Sequence, residues 1–405
     1  MLRLGVIGYG RRIRHMLGTI DRFGAGAQVV ALVDPQAERL CLEFPEALAG
    51  ATAYATATAM LDEANLDGVL IGTRCALHTP YAIEVLARDL PLFLEKPVAI
   101  TVEQLMALHA ASERSRSKVV VSFPLRLSAL CQAVQEVIDS GTLGTIEQVQ
   151  AVNNVPFYAG GYYHGWMRDE EQTGGLWLQK ATHDFDYLNS LIGQRPVRIT
   201  AMESKTVFRG EMPAGLHCVD CTRQEECPES PYNLFFLQGH TARVEPNDWQ
   251  CSFAPDTGNH DSASAIIRYE SGMHATYTQN FYTRRGAAVR GATLIGYRGT
   301  VVFDWYRSEL HVHHHHTAKV ERQHFAGTGT GHHGGDEELA RDFLAIMTGR
   351  GESRTPLTTG LNSAHLCLLA REACQTNSVQ EVRPLGSEDG IVIDGAATAA
   401  RASLR

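Results

Sequence analysis

The chain has 405 residues, 44% of them hydrophobic and 20% charged, with 37 glycines and 15 prolines. Those proportions are those of an ordinary globular protein and exclude collagen, low-complexity disorder and coiled coil. Lys and Arg number 36 against 45 Asp and Glu, a net charge of −9; without a basic block, neither nucleic acid nor anionic lipid is an expected partner. At roughly 100–200 residues per domain, the length predicts two or three units. No run reaches the ~18 apolar residues of a membrane span. Residues 1–10 enter a strand directly, without the apolar region and cleavage site of a secretory signal. A soluble, cytoplasmic protein is expected.

In chain order, apolar runs at 2–7, 29–33, 68–71, 90–94 and 119–122 alternate with helical spacing at 11–22, 36–44, 58–65, 79–88 and 101–115. Thr101 ahead of Val102, Glu103 and Gln104 is a capping-box start. Continuous apolar strands alternating with helices predict a doubly wound α/β domain with a parallel sheet over residues 1–122. The rhythm then changes. After a helix at 127–140, strand-like alternation recurs at 146–152, 197–204, 264–269, 274–281, 292–296 and 300–305, with one helix at 175–192. This predicts a second, α+β domain over 123–377, built on a mixed or antiparallel sheet. Residues 336–349 and 360–377 read as helices, and 378–405 as a loosely held tail. The run His313–His316 falls within a strand-like segment.

Gly8-Tyr9-Gly10-Arg11-Arg12-Ile13 follows the first strand and opens the first helix. Such a turn lets Gly8 bend sharply and Gly10 approach a pyrophosphate, whose charge meets the helix N-terminus. The third motif position, normally Gly or Ala, is Ile13. Asp34 closes the second strand 24 residues after Gly10, the place of an acid that holds a ribose 2′-hydroxyl, so NAD is expected in preference to NADP. Arg11 and Arg12 are candidates for phosphate contact. Glu95-Lys96-Pro97 stands at the carboxyl end of a buried strand, the ligand edge of open α/β sheets. A partly buried Lys96 could donate to a substrate oxygen, its pKa lowered toward useful values.

The GxG turn, the acid after strand two, His78 before a helix, Glu95-Lys96-Pro97, the 140–144 turn and a distal Gly174-Gly175…His183-x-x-Asp186 segment together resemble the glucose-fructose oxidoreductase, inositol dehydrogenase and MocA (Gfo/Idh/MocA) family of NAD(P)-dependent sugar and polyol dehydrogenases. The resemblance covers residues 1 to about 375. It implies an N-terminal Rossmann domain and a C-terminal open-faced sheet that builds homodimers or homotetramers. It also implies a small carbohydrate substrate between nicotinamide and sheet, with His78 and Glu95 at the cofactor. Lys96 and His183 match the family's proton-handling pair. Gln179 departs from the family's acid four residues before the histidine; glutamine can hold a hydroxyl but cannot take a proton. Lys180 is a further cation on this helix, either a polar contact or a partner for Asp184. On a regular helix 179, 183 and 186 share one face, as do 180 and 183.

Arg126, the aromatic run 158–166 including Tyr163, and Arg168 are expected to rim the substrate cleft. His333 could reach a ligand, with Asp336 as N-cap of the late helix. Cys218, Cys221 and Cys227, with Cys251, His217, His240 or His260 as fourth ligand, have the look of a structural zinc loop. Three functions follow. One is hydride transfer between NAD and a hydroxyl of a sugar, glycoside, cyclitol or sugar acid. Another is redox-neutral, NAD-dependent glycoside cleavage by oxidation, elimination, water addition and reduction. The last is a binding protein that lost its chemistry, which Gln179 favours and Lys96 with His183 oppose.

Overall fold

The computed structural model describes residues 1–156, 160–231, 233, 249–325 and 332–386. Its first sheet comprises β1 (Leu2–Ile7), β2 (Ala27–Val33), β3 (Thr52–Ala53), β4 (Gly68–Ile71), β5 (Leu92–Leu94) and β6 (Val119–Val121). All pairs are parallel, in the order β3-β2-β1-β4-β5-β6. This is the order of a dinucleotide-binding domain, with its switch point between β1 and β4. Strands β4, β5 and β6 are buried at every position, because helices cover both faces.

One substitution in the glycine motif is explained by packing. Gly8 has a φ of +82°, and a Cβ there would lie 2.8 Å from Thr73 Cγ2. At Gly10 a Cβ would meet only the Gly72 carbonyl oxygen, at an ordinary 3.6 Å. Ile13, where the motif expects Gly or Ala, is fully buried, and a Cβ on Gly72 would overlap its Cγ1. The small residue that lets helix and strand approach has thus moved from the helix to the end of β4. Ile13 is core, not a ligand for the cofactor.

The second sheet comprises β7 (Ile146–Asn154), β8 (Pro196–Ser204), β9 (Ser262–Tyr269), β10 (His274–Asn280), β11 (Val289–Gly296), β12 (Gly299–Asp304), β13 (Glu309–His314), β14 (Val320–His324) and β15 (Gln380–Glu381). Their order is β14-β13-β12-β11-β7-β10-β9-β8-β15. Only β7 and β10 pair in parallel among these described strands. Burial alternates along β9, so one face meets the core and the other is open. The start of the predicted loose tail is held, since β15 pairs with β8.

The late helix Gly335–Met347, expected in the second domain, packs on the first. Leu339, Ala340, Phe343 and Ile346 share a core with Val6, Ile13, Met16, Leu70 and Phe93. Its N-cap is Gly334 and not Asp336, which lies inside the first turn. The other face of the first sheet continues, through helix Leu357–Thr376, into the core beneath the second sheet. Among the described residues no helix is long and apolar enough to cross a membrane.

Gly72→Ala is expected to destabilise the fold by about 1–3 kcal/mol through overpacking. In a chemical-denaturation cycle with Ile13→Ala, the double variant should lose clearly less than the sum of the singles. Additive losses would mean that the two do not compete for one space.

Candidate active site

At the dinucleotide turn, helix Arg11–Asp21 begins on Gly10 with no side-chain cap, which leaves its first N–H groups to an anion. Asp34 stands beside it: Oδ2 accepts from the Tyr9 N–H at 2.9 Å and Oδ1 from the Gln36 N–H at 2.8 Å. Arg11 is exposed. Gly8, Gly10, Arg11 and Asp34 therefore fit a dinucleotide. Arg12 does not reach for phosphate. Its guanidinium donates to Glu95 Oε1 at 2.9 Å, to Ser122 Oγ at 3.1 Å and to Asp336 Oδ1. Glu95 is thus bound to Arg12, and Asp336 also takes His15 and His332 at 3.1 and 3.0 Å. Burial works to raise the Asp336 carboxyl, but the bonds from His332 and Arg12 outweigh it and hold it far below the usual range.

His78 is buried, with Nδ1 2.8 Å from the Pro97 carbonyl oxygen and Nε2 3.3 Å from that of Thr73. It fixes the turn that carries Lys96 and is committed to backbone. Lys96 Nζ donates to the Gln179 carbonyl oxygen at 2.6 Å, so the first domain's lysine meets the distal segment directly. That segment is not one regular helix: Trp177–Ala181 is a π turn, followed by an α-helix over Thr182–Ile192. Such turns are frequent at functional sites. Lys180 and His183 both lie within electrostatic reach of Lys96 and Arg290. Lys180 Nζ stands 5.9 Å from the Tyr162 ring centroid.

Burial lowers Lys96, brings Lys180 down to about 7 and takes His183 well below 6.5, with neighbouring cations adding to the last two. His183 is therefore neutral around pH 7, and its buried Nδ1 has no partner. Gln179 is buried, and its Oε1 likewise has none. Asp184, on which Lys180 was one expected partner, is taken by others. Arg290 Nε donates to Oδ1 at 2.9 Å, while Asn153 Nδ2 and the Tyr277 hydroxyl donate to Oδ2 at 2.7 and 2.8 Å.

Arg290, Asn153 and Tyr277 were not singled out from the sequence; each occupies an inward position of the second sheet. His332 was also missed. It and His333 have left-handed backbone, with φ of 49° and 57°, and the His332 ring lies 6.2 Å from that of His183. His333 is half-buried, and burial lowers its pKa.

Three expected rim residues are structural. Arg126 Nε lies 3.2 Å from Asp186 Oδ2, and burial pushes that carboxyl up to about 7. Tyr163 is fully buried, its hydroxyl donating to the His260 carbonyl oxygen at 2.6 Å. Arg168 is buried on Asp256 and Thr257, at 2.8 and 2.6 Å. Tyr158 and His240 lie outside the described residues. Cys218, Cys221, Cys227 and Cys251 are free thiols. Among the described residues no three His, Cys, Asp or Glu side chains are arranged to hold a metal ion, so the zinc loop finds no support.

Two family models match the chain. Residues 2–123 match the oxidoreductase family with an NAD-binding Rossmann fold, and 131–302 match the GFO/IDH/MocA C-terminal domain. The chain belongs to the Gfo/Idh/MocA family. The rhizopine catabolism protein MocA of Rhizobium meliloti is 29% identical over 216 residues, 51% of this chain and 62% of that protein. An inositol 2-dehydrogenase of Rhizobium meliloti (strain 1021) is 27% identical over 219 residues, 53% and 62% of the two. The chain thus spans less than two thirds of the length of these curated relatives. Among solved structures, a levoglucosan dehydrogenase with NADH and levoglucosan gives a TM-score of 0.73 at 17% identity, covering 95% of this chain and 100% of that one. An oxidoreductase domain protein of Kribbella flavida gives 0.76 at 16%, covering 95% and 99%. At such identity these share the fold of this Gfo/Idh/MocA member.

Asp336→Asn should cost about 2–4 kcal/mol near neutral pH by leaving Arg12 short of a partner. Because the folded pKa is depressed, the wild-type advantage is present above the unfolded value of about 4 and fades as pH falls below it. Urea unfolding from pH 7 to 3 should show the gap between variant and wild type narrowing; a constant gap would contradict the assignment.

Proposed function

We propose that this protein is an NAD-dependent dehydrogenase that oxidises a hydroxyl of a small carbohydrate or polyol. The observation that carries this reading is the bond from Lys96 to the Gln179 carbonyl, which joins the lysine of the first domain to the segment that carries His183. NAD, when bound, supplies the two-electron acceptor. Gly8 and Gly10 leave room for its pyrophosphate at the helix N-terminus, and Arg11 adds a cation. Asp34 holds the ribose hydroxyls and repels a 2′-phosphate, which favours NAD over NADP. Lys96, fixed by the Gln179 carbonyl, donates to the substrate hydroxyl oxygen and stabilises the charge that grows there. The neutral His183 takes the hydroxyl proton. Gln179 holds a neighbouring hydroxyl through Oε1. That division of labour accounts for the missing acid at 179, since proton transfer needs only His183.

The test follows absorbance of reduced nicotinamide with NAD and a panel of sugars, glycosides and cyclitols, with chromatography of products. NADH accumulating with an oxidised sugar is expected. Aglycone release without accumulating NADH would overturn this reading in favour of redox-neutral glycoside cleavage. Lys96→Ala should lower kcat by about 10²–10⁴ while NAD affinity stays within a few-fold; unchanged turnover removes Lys96 from the chemistry. Asp34→Ala should weaken NAD about tenfold and NADP less, as read by fluorescence titration. Equal losses would place the acid away from the ribose.

A further inference from the structure

Charge among the candidate site residues is unevenly answered. Three buried carboxylates lie among them, and all are taken: Glu95 and Asp336 by Arg12, Asp184 by Arg290. Lys96 has a neutral peptide carbonyl as its hydrogen-bond partner, and Lys180 has the face of Tyr162. Among the described residues neither lysine forms an ion pair with a carboxylate. Beside them Gln179, only 4% exposed, leaves Oε1 unbonded, and the buried Nδ1 of His183 is unbonded too. Ammonium groups drawn out of water without an anion are costly. An oxidised nicotinamide adds one more positive charge.

We propose that the substrate carries a carboxylate, as a uronic or aldonic acid does, seated against Lys96 and Lys180. This rests on the dehydrogenase reading above and narrows its substrate class. One carboxylate answers both lysines, while hydroxyls of the same molecule meet the side chains of Gln179 and His183. Arg290, whose fork suits phosphate, pairs with Asp184 while its buried Nη2 forms no hydrogen bond, so the test below includes a phosphate ester. The charged and titratable groups facing Lys180 are Arg290 on β11, Lys96 beyond β5, Tyr162, and Asp184 and His183 on the helix that follows its π turn. With Lys180 brought down to about 7, an anion beside it raises that value. Binding of the acid therefore takes up a proton and weakens as pH rises past about 7.

The experiment uses the full chain and matched pairs, glucuronate with glucose and galacturonate with galactose, with glucose 6-phosphate as the phosphate ester. Initial rates with NAD give kcat/KM, and calorimetry gives binding to the protein–NADH complex. At least one acid should exceed its neutral partner by about tenfold or more, with its KM rising above about pH 7. Lys180→Met should abolish that ratio and Lys180→Arg should keep it. Equal or better use of the neutral sugars overturns the proposal, as does a preference confined to glucose 6-phosphate. An acid that binds about tenfold more tightly than its neutral partner yet is never oxidised leaves the proposal standing and overturns the dehydrogenase reading. If no acid is preferred in either measurement, the proposal is wrong.

Discussion

The guanidinium of Arg12 joins three segments that are far apart in the chain: the helix after the glycine turn, the end of β5, and the start of the helix Gly335–Met347. Two parts of the candidate site are placed by that junction. Glu95 is fixed one residue before Lys96, and Asp336 holds His332, whose ring faces His183. A buried pair of this kind adds little net stability over a well-packed apolar substitute. Its value is positional: breaking one arm leaves an unanswered charge, so the three segments are held in one arrangement. His78 serves the same end from the other side, by bonding the Pro97 carbonyl.

A second buried charge orders the opposite wall. Asp184 accepts from residues on β7, β10 and β11, which anchors the helix Thr182–Ile192 to the second sheet. The π turn just before it widens the backbone where Gln179 and Lys180 lie. The helix can thus be fixed at Asp184 and still hand its Gln179 carbonyl to Lys96. The bond from Lys96 to the Gln179 carbonyl is thus one of the contacts that join the two domains, beside the helix packing and the Arg12–Asp336 pair.

How far this was legible in the sequence depended on where the partner lay. The first sheet reads clearly because strands covered on both faces become continuous apolar runs, as at β4 and β5. The glycine turn, Asp34, Lys96 and His183 could be singled out as candidates because each belongs to a local motif. Arg12 was misread because its partner Asp336 is 324 residues away; a cation at a phosphate turn looks free until its acid is seen. Arg126 and Arg168 were misread for the same reason, their acids being Asp186 and Asp256. Tyr163 looked like a sugar-stacking face but fills a core. Arg290 was passed over because the strand was expected to begin at 292, whereas it begins at Val289 and Arg290 faces inward to Asp184. Ile13 against Gly72 shows the reverse case, in which a broken motif was mended by a glycine elsewhere.

These arrangements also bear on how a histidine can act beside so many cations. Burial and the fields of Lys96 and Arg290 disfavour imidazolium, so His183 is neutral around pH 7. The same fields make it a weak base, which would be a handicap if it worked alone. In the reaction proposed above, however, oxidation of an alcohol would develop negative charge on a substrate oxygen beside Lys96. That charge, together with any anion on the substrate, would offset the cations just when the proton must move and so restore the basicity of His183. A resting site biased against protonation and a reacting site biased toward it differ only by the charge the substrate brings. Interactions stronger in the transition state than in the ground state are the ones that accelerate a reaction, and the excess of lysine over free carboxylate builds that difference into the cleft.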